Sequence, residues 1–229
     1  MARFSYFDSI ANIVPGAIVL AAVSLLVGSH NFILITGNAA IDTILFIVIS
    51  FALGALLHQL SSHTVQPLLK RLFWHGKFYS EIYLVKRYAL CKDPLRTQII
   101  NAAETLFQFD RTSLSCLDTD STSQKPMDPH VVSHQIYRRF DYFTMDNNLA
   151  SKGHTANILY SLFRTMTLTM LVLVILFAIG YHWNTLSIGP ASKVAAAILC
   201  LIAATVFLLK TRNEGERYVQ GVLSAVPKK

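Results

Sequence analysis

From Phe4 through Leu69 the chain contains no lysine or arginine, and from Thr165 through Ser192 it contains none again. Charged residues of either sign make up only 14% of the 229, against 53% hydrophobic, and mean hydropathy is +0.44. Such a composition excludes an ordinary soluble domain and leaves a membrane bundle carrying one modest polar module. Cysteine is scarce too. Cys91, Cys116 and Cys200 form no CxxC pair and no secreted-type framework, so no structural disulfide is expected.

Catalytic templates are also missing. There is no phosphate-cradling glycine loop, no HExxH and no GxSxG elbow. The arginine–histidine spacing of a short ribonuclease motif fails at His154, because Asn148 stands where the arginine is needed. His130 and His134 lie four apart with Cys116, Asp118 and Asp128 nearby, but two histidines do not define a metal site. No cofactor, metal or catalytic residue is assigned.

The charge-free intervals hold four apolar stretches: Ile10–Gly28, Ile41–Leu60, Thr165–Trp183 and the shorter Val194–Leu209. At 1.5 Å per residue the first three are near 30 Å long, the thickness of a bilayer core. The fourth is flanked by Lys193 and Lys210, which can snorkel to the interfaces. The expected fold is therefore an all-α integral membrane protein, four transmembrane helices as two hairpins, with a helical cytosolic insertion between spans two and three. Its expected organisation is a first hairpin over 1–66, the insertion over 67–150 with a mobile loop at 110–128, a second hairpin over 151–210, and a tail over 211–229. A single Arg3 before the first apolar run raises a cleaved signal peptide as the alternative, which Pro15 and the second span close behind it oppose.

Formal charge is +7. Residues 70–164 carry 13 Lys/Arg against 9 Asp/Glu, and the tail from Lys210 carries 5 against 2, so these two regions hold +4 and +3. The positive-inside bias then puts both termini and the insertion in the cytoplasm of a bacterial inner membrane. It also accounts for the basic balance without nucleic acid, which is not an expected partner. The bilayer, a second copy of the chain and a cytosolic protein are the expected partners.

Within the spans, Pro15-Gly16 marks a hinge, and Ala17, Ala21, Ser24 and Gly28 supply small residues for close helix packing. In span two, Ser50, Gly54, His58 and Ser61 or Ser62 recur every three or four residues, with His63 beside them. This face becomes more polar toward its inner end and is the candidate gating face. Thr165, Thr167 and Thr169 would spread around their helix. Lys70, Arg71, Trp74, Lys77, Arg164, Lys210 and Arg212 are the expected headgroup contacts, with Pro67 to Ala89 as an interfacial helix.

Asp93-Pro94 and Asp128-Pro129 are helix starts, a capping side chain before a preorganised first turn. Behind them Leu95, Ile99, Ala102 and Leu106, then Val132, Ile136, Phe140 and Phe143, form apolar stripes. The functional expectation is a module that receives a partner or ligand signal and alters the bundle, as in a membrane-permeabilising or gated effector of toxin or phage-defence type. A non-conducting anchor that recruits a partner is the second reading, and an enzyme on an interfacial substrate the third.

Overall fold

The computed structural model describes residues 6–27, 38–118, 128–147, 149, 151–183 and 189–225. It is 88% helical and has no strand among them. The α-helices are α1 (Tyr6–Val27), α2 (Ala39–Phe73), α3 (Tyr79–Ile82), α4 (Asp93–Phe107), α5 (Arg111–Ser115), α6 (Pro129–Asp146), α7 (Ser151–Trp183) and α8 (Pro190–Ser224). Short 3-10 turns occupy Lys86–Tyr88 and Cys116–Asp118. Three helices are long and apolar enough to cross a membrane: α2, α7 over Gly153–Tyr181, and α8. In α1 the described apolar stretch is Ala11–Ser24, and Gly28, residues 29–37 and residues 184–188 lie outside the described residues.

The chain divides into two units. The apolar unit comprises residues 1–68 and 158–212, and the polar unit residues 69–157 and 213–229. The division therefore falls inside α2, α7 and α8, each of which contributes residues to both.

In the apolar unit α1 runs unbroken through Pro15, and α1 and α2 meet backbone to backbone. The space a Cβ would need at Gly16 is filled by the Ser50 carbonyl, and at Gly54 by the Asn12 carbonyl. Glycine is required at both positions because lipid offers no hydrophobic force between helices, and only close packing holds them. Ala17 is half-buried and Ala21 exposed. α7 is the best covered of the three long apolar helices, with 33% of its apolar window buried, and α8 the least, at 11%. Thr165, Thr167 and Thr169 are all buried, each hydroxyl donating to the carbonyl four residues back. Spreading around the helix does not expose them, because at this level of α7 all three positions are covered.

Lys193 departs from its expected snorkelling. It is 2% exposed, and its ammonium donates to the Gly180 carbonyl at 3.1 Å. Gly180 is among the last four residues of α7, whose carbonyls lack helical partners, so the cation closes a helix end.

The polar unit corrects the interfacial helix expected over Pro67–Ala89. α2 continues through Pro67 and stops at Phe73, where His75 and Gly76 both take positive φ and the Gly76 N–H donates to the Lys70 carbonyl at 2.8 Å. The aromatics that follow form core: Trp74, Tyr79 and Tyr83 are 3%, 6% and 4% exposed. α3 then packs on α6, joined by Ser133 Oγ donating to the Ser80 carbonyl at 2.7 Å. Ile136 and Phe140 of α6 are fully buried, and Phe107 of α4 meets the Phe140 ring edge-on at 4.9 Å.

Two start signals resolve differently. Asp128 caps α6, its carboxylate accepting the His130 N–H at 2.9 Å, whereas Asp93 is itself the first helical residue of α4 behind Lys92. The α4 stripe is also rotated: Ile99 and Ala103 are buried with Arg96, while Leu106 is 44% exposed. Arg96 turns that face inward, since its guanidinium donates to the Leu84 carbonyl at 2.8 Å and pairs with Asp118 at 2.7 Å. The 110–128 stretch consequently begins as ordered structure, with Leu114, Cys116 and Leu117 buried; residues 119–127 lie outside the described residues.

Candidate functional site

The polar face of α2 is met by α7. His58 Nδ1 lies 3.3 Å from Ser161 Oγ and 3.3 Å from Thr165 Oγ1. Thr165 directs its hydroxyl hydrogen to the Ser161 carbonyl at 3.0 Å, which leaves its oxygen as an acceptor for a proton on Nδ1. One turn along, Ser61 Oγ donates to the His58 carbonyl at 2.7 Å and accepts from Arg164 Nε at 3.1 Å. The guanidinium also lies 5.5 Å from the Tyr160 ring centroid. Two helices thus hold a cation and an imidazole through hydroxyls.

Arg164 is 8% exposed and Ser61 fully buried. Its expected place was among headgroups, but it turns into the unit, and among the described residues it meets no carboxylate. Its guanidinium has a serine hydroxyl and a ring for partners and no ion pair among the described residues.

Of the other expected gating residues, Ser50 is fully buried and Gly54 is committed to the α1 contact. Ser62 and His63 belong to a different face: Ser62 Oγ donates to the Gln59 carbonyl at 2.6 Å, and His63 Nε2 lies 3.5 Å from Gln59 Nε2. Ser61 is the member that joins the cluster. Pro15 and Gly16 are buried against α2. Of the remaining expected headgroup residues, Arg71 and Lys210 are exposed, and Lys77 and Arg212 are half-buried. Lys70 lies 3.2 Å over the Phe78 ring, and the Trp74 indole N–H donates to Glu216 at 3.3 Å, inside the polar unit. Ser161 was the residue sequence reasoning missed, and Thr165 was read only as one of three threonines spread around the helix. Their signal was present in the i, i+4 spacing from Ser161 to Thr165 and on to Thr169.

The polar unit has a half-buried cluster of its own. Tyr218 donates to Asp141 Oδ1 at 2.9 Å and stands edge-on to Tyr137 at 5.9 Å. Burial raises the Asp141 carboxyl above its ordinary range, partly offset by the Tyr218 hydrogen bond and by the charges of His154 and Arg138. Because the folded state holds this proton more tightly than the unfolded chain, Asp141 contributes stability in acid that is lost as pH rises through its folded pKa. Asp141→Asn, neutral at every pH, should therefore unfold at a higher temperature than wild type at pH 7. The gap should close as pH falls toward 4, and a thermal melt series in detergent that shows no narrowing removes this account.

Among the described residues no group of three or more histidine, cysteine, aspartate or glutamate side chains is placed to hold a metal. The chain matches no family model, no curated protein and no solved structure.

Proposed function

We propose that the protein is a gated, multi-pass protein of a bacterial inner membrane. In this reading the polar unit receives a cytosolic partner or ligand and thereby changes the packing of the apolar unit, opening a conductive path. The observation that carries it is that α2, α7 and α8 each contribute residues to both units, so a signal received in one need cross no loop to reach the other. The hydroxyl-linked His58–Arg164 face, on two of those three helices, is the gating element. Its fixed guanidinium selects anions over cations. Two hairpins, with α1 as the fourth span and both termini cytoplasmic, complete the arrangement, and the largely uncovered α8 serves self-association.

Purified protein in liposomes should pass chloride in preference to potassium once activated by its neighbour-encoded partner or by high protein density. Arg164→Gln and His58→Ala should each lower that flux at least about tenfold without loss of folded protein. Equal flux in both variants rejects the gating face, and absence of any flux or change in membrane potential leaves the anchor reading in possession. Topology is checked separately, with reporters at residues 35, 120, 187 and 229 expected outside, inside, outside and inside. Reversal at 120 would overturn the orientation.

A further inference from the structure

The polar unit contains an open cleft of about 540 Å³ between the end of α4 and the outer face of α6, within the size range of small-molecule sites. Its chemistry is mixed in a specific way. Arg138 and Arg139, consecutive on α6, supply two guanidinium groups, Phe109 and Tyr142 supply rings, and Gln108 and Gln135 supply amides. Asp110 is the one carboxylate in the lining.

Local structure explains why these groups converge. Gln108 takes positive φ at the end of α4 and turns the chain sharply, which brings Phe109 and Asp110 to face α6. Phe107, one residue earlier, is fixed edge-on between Phe140 and Phe143 and anchors that turn to the core. On α6, Arg138 donates to the Tyr142 hydroxyl at 3.1 Å, which sets both residues on the same side of the helix.

Most of these polar groups are unspent. Asp110 occupies the capping position of α5 yet its side chain makes no capping bond. Arg139, Gln108 and Gln135 make no hydrogen bond or ion pair among the described residues. Arg111 beside them is different, being paired with Glu104.

We infer that this cleft binds a nucleotide. A guanidinium matches a phosphate in charge and in fork geometry, and the cleft offers two. The half-buried Phe109 ring and the exposed Tyr142 ring, the latter with the Arg138 guanidinium 5.8 Å from its centroid, can accept the face of a base, and amides with one carboxylate match its edge, the carboxylate taking an exocyclic amine. A bare phosphate would leave the rings and amides without a role, and a neutral ring would leave both arginines without one. The transfer of this binding event to the apolar unit rests on the signal-receiving role proposed above; occupancy of the cleft does not.

The test uses the full chain in nanodiscs and calorimetric titration with AMP, GMP, CMP and UMP, beside inorganic phosphate and adenosine. At least one nucleotide should bind saturably, and at least about tenfold more tightly than phosphate or adenosine. Arg138→Ala with Arg139→Ala should weaken that binding at least about tenfold, and Tyr142→Ala severalfold. All three side chains are exposed, so the core is not disturbed. Affinity should be equal in phosphatidylcholine and phosphatidylglycerol discs. Failure of all four nucleotides, binding that survives the double substitution, or competition by the phosphatidylglycerol headgroup each overturns the inference. Nucleotide binding without any effect on liposome flux would confirm the cleft and reject the signalling role, so the two fail separately.

Discussion

Gly54→Ala should leave little folded protein. The added methyl would have to occupy the position of the Asn12 carbonyl, and neither α1 nor α2 has a side chain there that can rotate away. Overpacking a core usually costs about 1–3 kcal/mol because flexible side chains absorb the strain, but here two backbones must separate, which places the cost at or beyond the top of that range. Gly16→Ala should behave alike, since its Cβ would meet the Ser50 carbonyl and the Gly54 amide. The measurement is the fraction of detergent-extracted protein that stays monodisperse on heating. Ala21→Leu, at an exposed position of the same helix, is the matched control and should be tolerated. Equal yields for Gly54→Ala and Ala21→Leu would remove the backbone contact from the account of this fold.

Phe140→Ala should unfold the polar unit while the apolar unit still inserts. Phe140 is fully buried, its ring is met edge-on by Phe107, and it lies on the α6 face that carries Ile136 and Val132. Removing so large a side chain from a closed core costs about 3–5 kcal/mol, which is much of the stability of a unit this size. Limited proteolysis should cut the polar unit of the variant while membrane extraction still recovers the chain in the bilayer fraction. Activated flux should then disappear even though His58, Ser61 and Arg164 are untouched. Retained activation by the partner would mean that the polar unit is not the receiver.

The apolar lengths of α2, α7 and α8 were legible because a long uncharged run has few soluble alternatives. Their full extents were less so. α7 begins at Ser151 and α8 continues to Ser224, well past the apolar residues, since polar helix and polar loop look alike where packing rather than propensity decides. Trp74, Tyr79 and Tyr83 illustrate a second limit. Aromatics beside basic residues suit a headgroup layer and a small core equally well, and only the break at His75–Gly76 folds them inward.

The candidate site was half legible. Periodicity placed Ser50, Gly54 and His58 on one face of α2, but could not choose between Ser61 and Ser62 without the helix opposite. Arg164 was misplaced for a physical reason: an arginine at the end of an apolar run has a cheap way out to water, and nothing in the chain announces that Ser61 and Tyr160 hold it in. Arg96 misled in the same manner on α4, where a buried guanidinium displaced the stripe that hydrophobicity alone selects.

The 35 residues of α2 and of α8 have one mechanical consequence. At 1.5 Å per residue each is a rod of about 52 Å, roughly 20 Å longer than a bilayer core is thick. A tilt of about 5° at one end of such a rod carries the other through some 4–5 Å, close to the rise of a full helical turn. Ser61 lies 12 residues from the Phe73 end of α2, about 18 Å along it, so in the gated reading proposed above the same tilt about that end would shift Ser61 by about 1.5 Å. In that reading the rods would supply leverage in place of a relay of side chains.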